Sequence, residues 1–230
     1  MTERITDRIE IVNADCYTLL DGWPSDAALV TDPPYGIAYC HGARKGGRMM
    51  GTDGMTIVGD DQPFDPRPFL RFATVCLWGA NFFASRLPDS RGWLVWDKRD
   101  GIPSNDQADC ELAWTSRDQV PRLMTRYWNG GTAKERGEAR LHSNQKPVGL
   151  MGWSLQQCGV RDGLVIDPFM GSGSLGVACH RAGLRYLGVE IDPEHYATAR
   201  ERLTRETAQG LLMPNATVDG PAAQSAKKDQ

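Results

Sequence analysis

The feature that most restricts what this chain can become is the run Leu164-Val165-Ile166-Asp167-Pro168-Phe169-Met170-Gly171-Ser172-Gly173. Its apolar start suits a short buried strand, and it ends in a carboxylate. Pro168 and the two glycines break the strand, and a helical pattern opens at Ser174. A strand apolar on successive residues has to be covered on both faces, which is the condition of a parallel α/β sheet. Glycine at 171 and 173 lets the backbone approach a ligand closely, with the N–H groups of the helix start turned toward it. The same turn also serves simple packing, so the glycines alone do not define a binding loop.

The rest of the chain repeats this alternation. Strands are expected at 9–12, 27–31, 73–78, 93–96, 112–114, 164–166 and 186–189, and helices at 65–72, 81–86, 147–157, 174–182 and 193–207. The last helix has Asp192 as N-cap, Pro193 at its first position and Glu194 in its first turn. The expectation is an α/β fold, a Rossmann-like sheet with helices on both faces, filling residues 1–209 as one domain. With 164–166 at the sheet centre beside 27–31, the sheet would run from 186–189 through 9–12 or its neighbour. Stretches 40–63 and 129–144, rich in glycine and charge, read as long loops. Residues 210–230 lack periodicity and large apolar side chains and read as a disordered tail.

Composition acts here mainly by exclusion. The charged start MTERITDRIEI and the absence of a long apolar run argue against a signal peptide or a membrane span, so a soluble, cytosolic protein is expected. Six scattered cysteines lack metal-ligand spacing and read as reduced thiols, with no metal site. A net charge of -3 argues against a surface that coats nucleic acid throughout. Contact with DNA would have to come from local patches: Arg44, Lys45 and Arg48, or the basic stretch 117–140.

Two further carboxylates stand where chemistry is expected. Glu190 ends the strand after the glycine turn, a position from which an acid accepts hydrogen bonds from both ribose hydroxyls of an adenosine cofactor; as a bland alternative it caps the next helix. Asp32 ends the apolar run 27–31 and is followed by Pro33, Pro34 and Tyr35. The prolines lock the backbone, so the Asp32 side chain and the Pro33 carbonyl can face one small volume beside an aromatic ring. That arrangement suits a planar ring bearing an amino group, although a plain proline turn after a strand has the same sequence.

Taken together, Asp32-Pro33-Pro34-Tyr35 and Asp167-Pro168-Phe169-Met170-Gly171-Ser172-Gly173 resemble the DNA amino-methyltransferases. Their order resembles the β class, in which the catalytic motif precedes the cofactor motif, a circular permutation of the usual methyltransferase arrangement. Asn13-Ala14-Asp15-Cys16 is similar to the acidic turn that meets the cofactor's adenine in this family, and 59–65 resembles a segment of phage-type members. His142-Ser143-Asn144-Gln145-Lys146-Pro147 is similar to the family's H-P-T-Q-K-P segment, with Ser143-Asn144 departing from it. The resemblance covers nearly the whole chain. It implies S-adenosylmethionine as cofactor, held by Asp15, Asp167, Phe169, Gly171, Ser172, Gly173, Glu190 and Lys146. It implies Asp32, Pro33, Pro34 and Tyr35 as the catalytic group and double-stranded DNA as partner, with monomer and homodimer both open.

The implied reaction is methyl transfer to N6 of adenine. The amino nitrogen is a poor nucleophile, so Asp32 and the Pro33 carbonyl would each accept one of its N–H groups and draw it toward tetrahedral geometry. The base would leave the duplex, with Tyr35 as its stacking surface. Arg44, Lys45 and Arg48 would hold phosphates, and 117–140 would read the target. Cytosine N4 is the nearest alternative acceptor, RNA or a protein glutamine a more distant one, and a silent cofactor-binding subunit the alternative outside enzymes. Trp78, Trp93, Trp96 and Trp114 lie on expected strands and belong to the core.

Overall fold

The computed structural model describes residues 2–37, 58–104, 108–128 and 145–208. Every expected strand forms, within two residues at either end. They are β2 (Ile9–Asn13), β3 (Ala28–Thr31), β4 (Thr74–Trp78), β5 (Trp93–Asp97), β6 (Cys110–Thr115), β8 (Leu164–Asp167) and β9 (Arg185–Glu190). Two more join them: β1 (Thr2–Arg4) and β7 (Arg122–Thr125). Both are short, mostly exposed and at the sheet's edges, where little burial leaves no apolar pattern to read.

The sheet runs β1-β2-β9-β8-β3-β4-β6-β5-β7. β8 does lie beside β3, with β9 on its other side and β2 beyond β9. The stretch from β2 to β4 is parallel throughout, so Asn13, Glu190, Asp167, Thr31 and Trp78 finish along one edge. β6 runs antiparallel to both β4 and β5 and therefore begins at the edge where they end. This single reversal decides which side chains meet Asp32.

Helices cover the two faces unequally. α1 (Val148–Gln157), α2 (Ser174–Arg181) and α3 (Pro193–Ala208) bury Leu150, Leu155, Val177, Ala199 and Leu203 against Ile9, Ile11, Val30, Trp78 and Val165. The opposite face, Leu29, Leu77, Ile166 and Val189, is closed by Trp23, Phe64, Phe69, Phe72 and Phe83. There the expected helices 65–72 and 81–86 shrink to single 3-10 turns, Arg67–Phe69, Ala80–Phe82 and Ala84–Arg86. The reason is local: Pro66 and Pro68 bias their preceding residues away from helix, and Gly79 starts the second stretch in the left-handed region. Of the four strand tryptophans, Trp78, Trp96 and Trp114 are buried and Trp93 is half-buried. Among the described residues no helix is long and apolar enough to cross a membrane.

Candidate active site

Asp32 follows β3 directly, and each oxygen of its carboxylate accepts one hydrogen bond. The Tyr35 hydroxyl donates to Oδ1 at 2.7 Å and the Lys146 ammonium to Oδ2 at 2.6 Å. Lys146 also donates to the Tyr35 hydroxyl oxygen at 3.0 Å and pairs with Glu111 Oε2 at 2.9 Å. Glu111 Oε1 takes Lys98 at 2.9 Å, so a chain of alternating charge runs Lys98, Glu111, Lys146, Asp32. Burial pushes the Asp32 carboxyl above its ordinary range and Glu111 adds to this, while Lys146 opposes both. Burial alone would lower Lys146; Asp32 and Glu111 outweigh it and hold the ammonium well above its ordinary value. Burial raises Glu111 too, but Lys146 and Lys98 prevail and bring it down to about 2.

The turn after Asp32 is built for close approach. Gly36 sits at φ +74, and a Cβ there would lie 2.5 Å from the Gln62 carbonyl oxygen. The buried Asp60 accepts the Gly36 N–H at 2.8 Å and fastens 59–62 onto the turn after Asp32. Gly79, at φ +69, leaves room for the Tyr35 ring: a Cβ would fall 1.9 Å from its Cε1. One face of Tyr35, the expected stacking surface for a base, carries Phe82 at 4.7 Å and 14°. Phe82 is itself about half exposed and extends the aromatic surface outward.

The glycine turn lies next to Asp32 along the same edge. Gly171, φ +54, would point a Cβ into open space, so no protein atom requires glycine there except through its backbone angle. Its N–H donates to Glu190 Oε2 at 2.8 Å, and Asp192 N–H donates to Oε1 at 2.9 Å. Burial raises the Glu190 carboxyl above its ordinary range, tempered by these two N–H groups. Each oxygen keeps a second lone pair. Asp15, beyond β2, accepts the Tyr17 N–H at 3.0 Å and stands exposed across from Glu190, whose strand partner is Asn13.

Three of the side chains that the resemblance assigns to the cofactor have partners within the protein. The Asp167 carboxylate is buried between strands, taking the Thr31 hydroxyl at 2.6 Å and the Tyr186 hydroxyl at 3.1 Å. Ser172 accepts from Arg202 of α3 with both its carbonyl and its hydroxyl, which anchors the glycine turn from below. Lys146, just ahead of α1, gives its ammonium to Asp32 and Tyr35 and pairs with Glu111. Phe169 packs edge-on to Phe64 and Phe69 at 5.6 and 5.7 Å, and Pro33 is buried. Arg44, Lys45 and Arg48 lie outside the described residues, as does most of loop 40–63, 129–140 and the tail. Within 117–128, Arg117 donates to the Gln157 carbonyl and 122–125 form the edge strand. Lys98, Glu111 and Arg202 were not singled out by the sequence, and Asp60 only as part of 59–65. Glu111 had a signal, an acid ahead of the apolar run 112–114.

The mostly parallel sheet and its helices share their fold with solved DNA methyltransferases. The M1.HpyAVI–SAM complex superposes with a TM-score of 0.55 at 20% identity, covering 85% of this chain and 100% of that one. The cytosine-N4-specific PvuII DNA methyltransferase gives 0.56 at 16%, covering 89% and 93%. Residues 91–201 match the family model N6_N4_Mtase, described as a DNA methylase. The Type II methyltransferase M2.LlaDCHI of Lactococcus lactis subsp. cremoris is 27% identical over 119 residues, 51% of this chain and 44% of the relative. M.HinfI of Haemophilus influenzae is 23% identical over 261 aligned residues, 88% of this chain and 70% of the relative. The match to the DNA methylase model covers just under half of the chain. The chain spans under half the length of the first curated relatives it matches.

Proposed function

We propose that this protein transfers the methyl group of S-adenosylmethionine to the exocyclic N6 of adenine in double-stranded DNA, with the base turned out of the helix. The observation that carries this reading is Asp32 at the end of β3, beside the glycine turn and Glu190 on the same sheet edge. When bound, S-adenosylmethionine supplies a methyl group already activated on sulfur.

The chain's own residues fit such a cofactor. Glu190 has two free lone pairs for a ribose diol, and the space beside Gly171 is open. Ile191, exposed next to Glu190, offers an apolar surface for an adenine ring. Gly173 and Arg202 hold the turn in shape, Asp15 closes the far side and Phe169 the near side. Asp167 acts through the strands it ties together.

Asp32 accepts one N–H of the amino group on an outward lone pair, and the Pro33 carbonyl accepts the other. Both acceptors disfavour the flat, delocalised amine and favour the positive charge that develops as the nitrogen attacks. The remaining requirement is alignment of nitrogen, methyl and sulfur, which rigid prolines and the Gly36 turn serve. Tyr35 and Phe82 form the aromatic wall against which the base stacks, and Arg44, Lys45 and Arg48 hold the phosphates of the distorted strand. The order of the two motifs fits the permuted β class.

The test is nucleoside mass spectrometry of DNA from cells producing the parent and Asp32→Ala. N6-methyladenine with the parent alone, and cofactor affinity retained within a few fold in the variant, are the expected results. N4-methylcytosine would reassign the acceptor, and no methylated base would leave a silent cofactor-binding protein.

A further inference from the structure

The reaction needs an ionised, fixed carboxylate at Asp32, yet the position is buried enough to resist ionisation, and three other acids and phenols face it. These are Glu111 from β6, Tyr35 from its own turn and Asp167 from β8; Lys146, ahead of α1, is the cation among them. Lys146 is only 6% exposed, and an ammonium has three protons to place. Asp32 and Tyr35 accept two of them at 2.6 and 3.0 Å, and Glu111 Oε2 meets the ammonium as an ion pair at 2.9 Å, outside hydrogen-bond geometry. Two anions around one cation would leave a net negative charge. Lys98 on the far oxygen of Glu111 balances it, so the four groups together are neutral.

From this geometry, and resting on the role given to Asp32 above, we propose that Glu111 and Lys146 are positioning residues for methyl transfer. Lys146 fixes the plane of the Asp32 carboxylate and keeps it ionised. Glu111, held in turn by Lys98, fixes Lys146. The arrangement exists because β6 starts at the edge where β3 ends; a parallel strand in its place would put Glu111 at the far side of the sheet.

The two residues act on Asp32 with opposite signs, and this separates positioning from mere support of the fold. Lys146→Met removes the cation that lowers the Asp32 carboxyl, so the acid limb of the kcat profile moves to higher pH. Glu111→Gln removes a like charge that raises it, so the limb moves to lower pH. In Glu111→Gln, kcat at saturating cofactor and DNA should fall at least tenfold, with the KM for DNA and the calorimetric Kd for S-adenosylmethionine within threefold of the parent. The double variant Glu111→Gln/Lys146→Met guards against simple unfolding. It removes one charge of each sign and should regain melting temperature over the worse single variant while kcat stays low; recovery of kcat along with stability overturns the proposal.

A readout independent of turnover is the Lys146 ammonium signal in nitrogen-15 NMR of the protein without cofactor or DNA. It should persist at pH 8 in the parent and be lost in Glu111→Gln; its absence from the parent also overturns the proposal. A parent that shows the signal but methylates no base overturns the functional reading. A parent that methylates while Glu111→Gln keeps its kcat and its acid limb overturns the positioning role alone.

Discussion

Asp167 offers a sharp test of the site's electrostatics, because burial pushes its carboxyl from the ordinary 3.8 up to about 7, and the nearby Asp32 adds to this against the Thr31 and Tyr186 hydroxyls. Unfolded, the group releases its proton near pH 4. Folded, it holds the proton until about pH 7. Between these values the folded state binds more protons than the unfolded one, so stability falls as pH rises through the window. Below it the full contribution is present. The whole rise corresponds to about 4 kcal/mol, of which about 2 kcal/mol lies between pH 5.5 and 7. Asp167→Asn keeps the shape and an acceptor but cannot ionise. Urea denaturation of both proteins from pH 5.5 to 8 should show the variant gaining on the parent by about 2 kcal/mol, with any constant offset reflecting altered hydrogen bonds. Parallel stability curves would refute the reasoning and mean that Asp167 titrates as an ordinary carboxylate.

The remaining predictions concern the two turns. Gly79→Ala should cost on the order of 1–3 kcal/mol in urea denaturation, because the new Cβ meets the Tyr35 ring in a left-handed backbone, and methylation should fall with it as Tyr35 leaves Asp32. Unchanged stability would show that Tyr35 has room to move. Glu190→Ala should weaken S-adenosylmethionine by on the order of 1–3 kcal/mol in calorimetry. An unchanged Kd with intact fold would leave Glu190 as a fastener for Gly171 and Asp192 only.

The local elements and the carboxylates that end them are legible in the amino-acid order alone. Strands β3, β8 and β9 are legible because they are apolar on both faces, and a parallel sheet then has no choice but to bring Asp32, Asp167 and Glu190 to one edge. Glycines at 36, 79, 171 and 173 mark backbone that must pass through the left-handed region, a property of single residues. Direction and partnership were decided only in three dimensions. The antiparallel entry of β6 between β4 and β5 carries Glu111 to the site, and nothing in the sequence of that strand states its direction. Lys146 meets Asp32 across 114 residues, and Arg202 meets Ser172 across 30. Such pairs form because a buried charge has to find an opposite charge or a hydrogen bond within a few ångströms once water is gone, and which group supplies it depends on what the packed elements bring within reach.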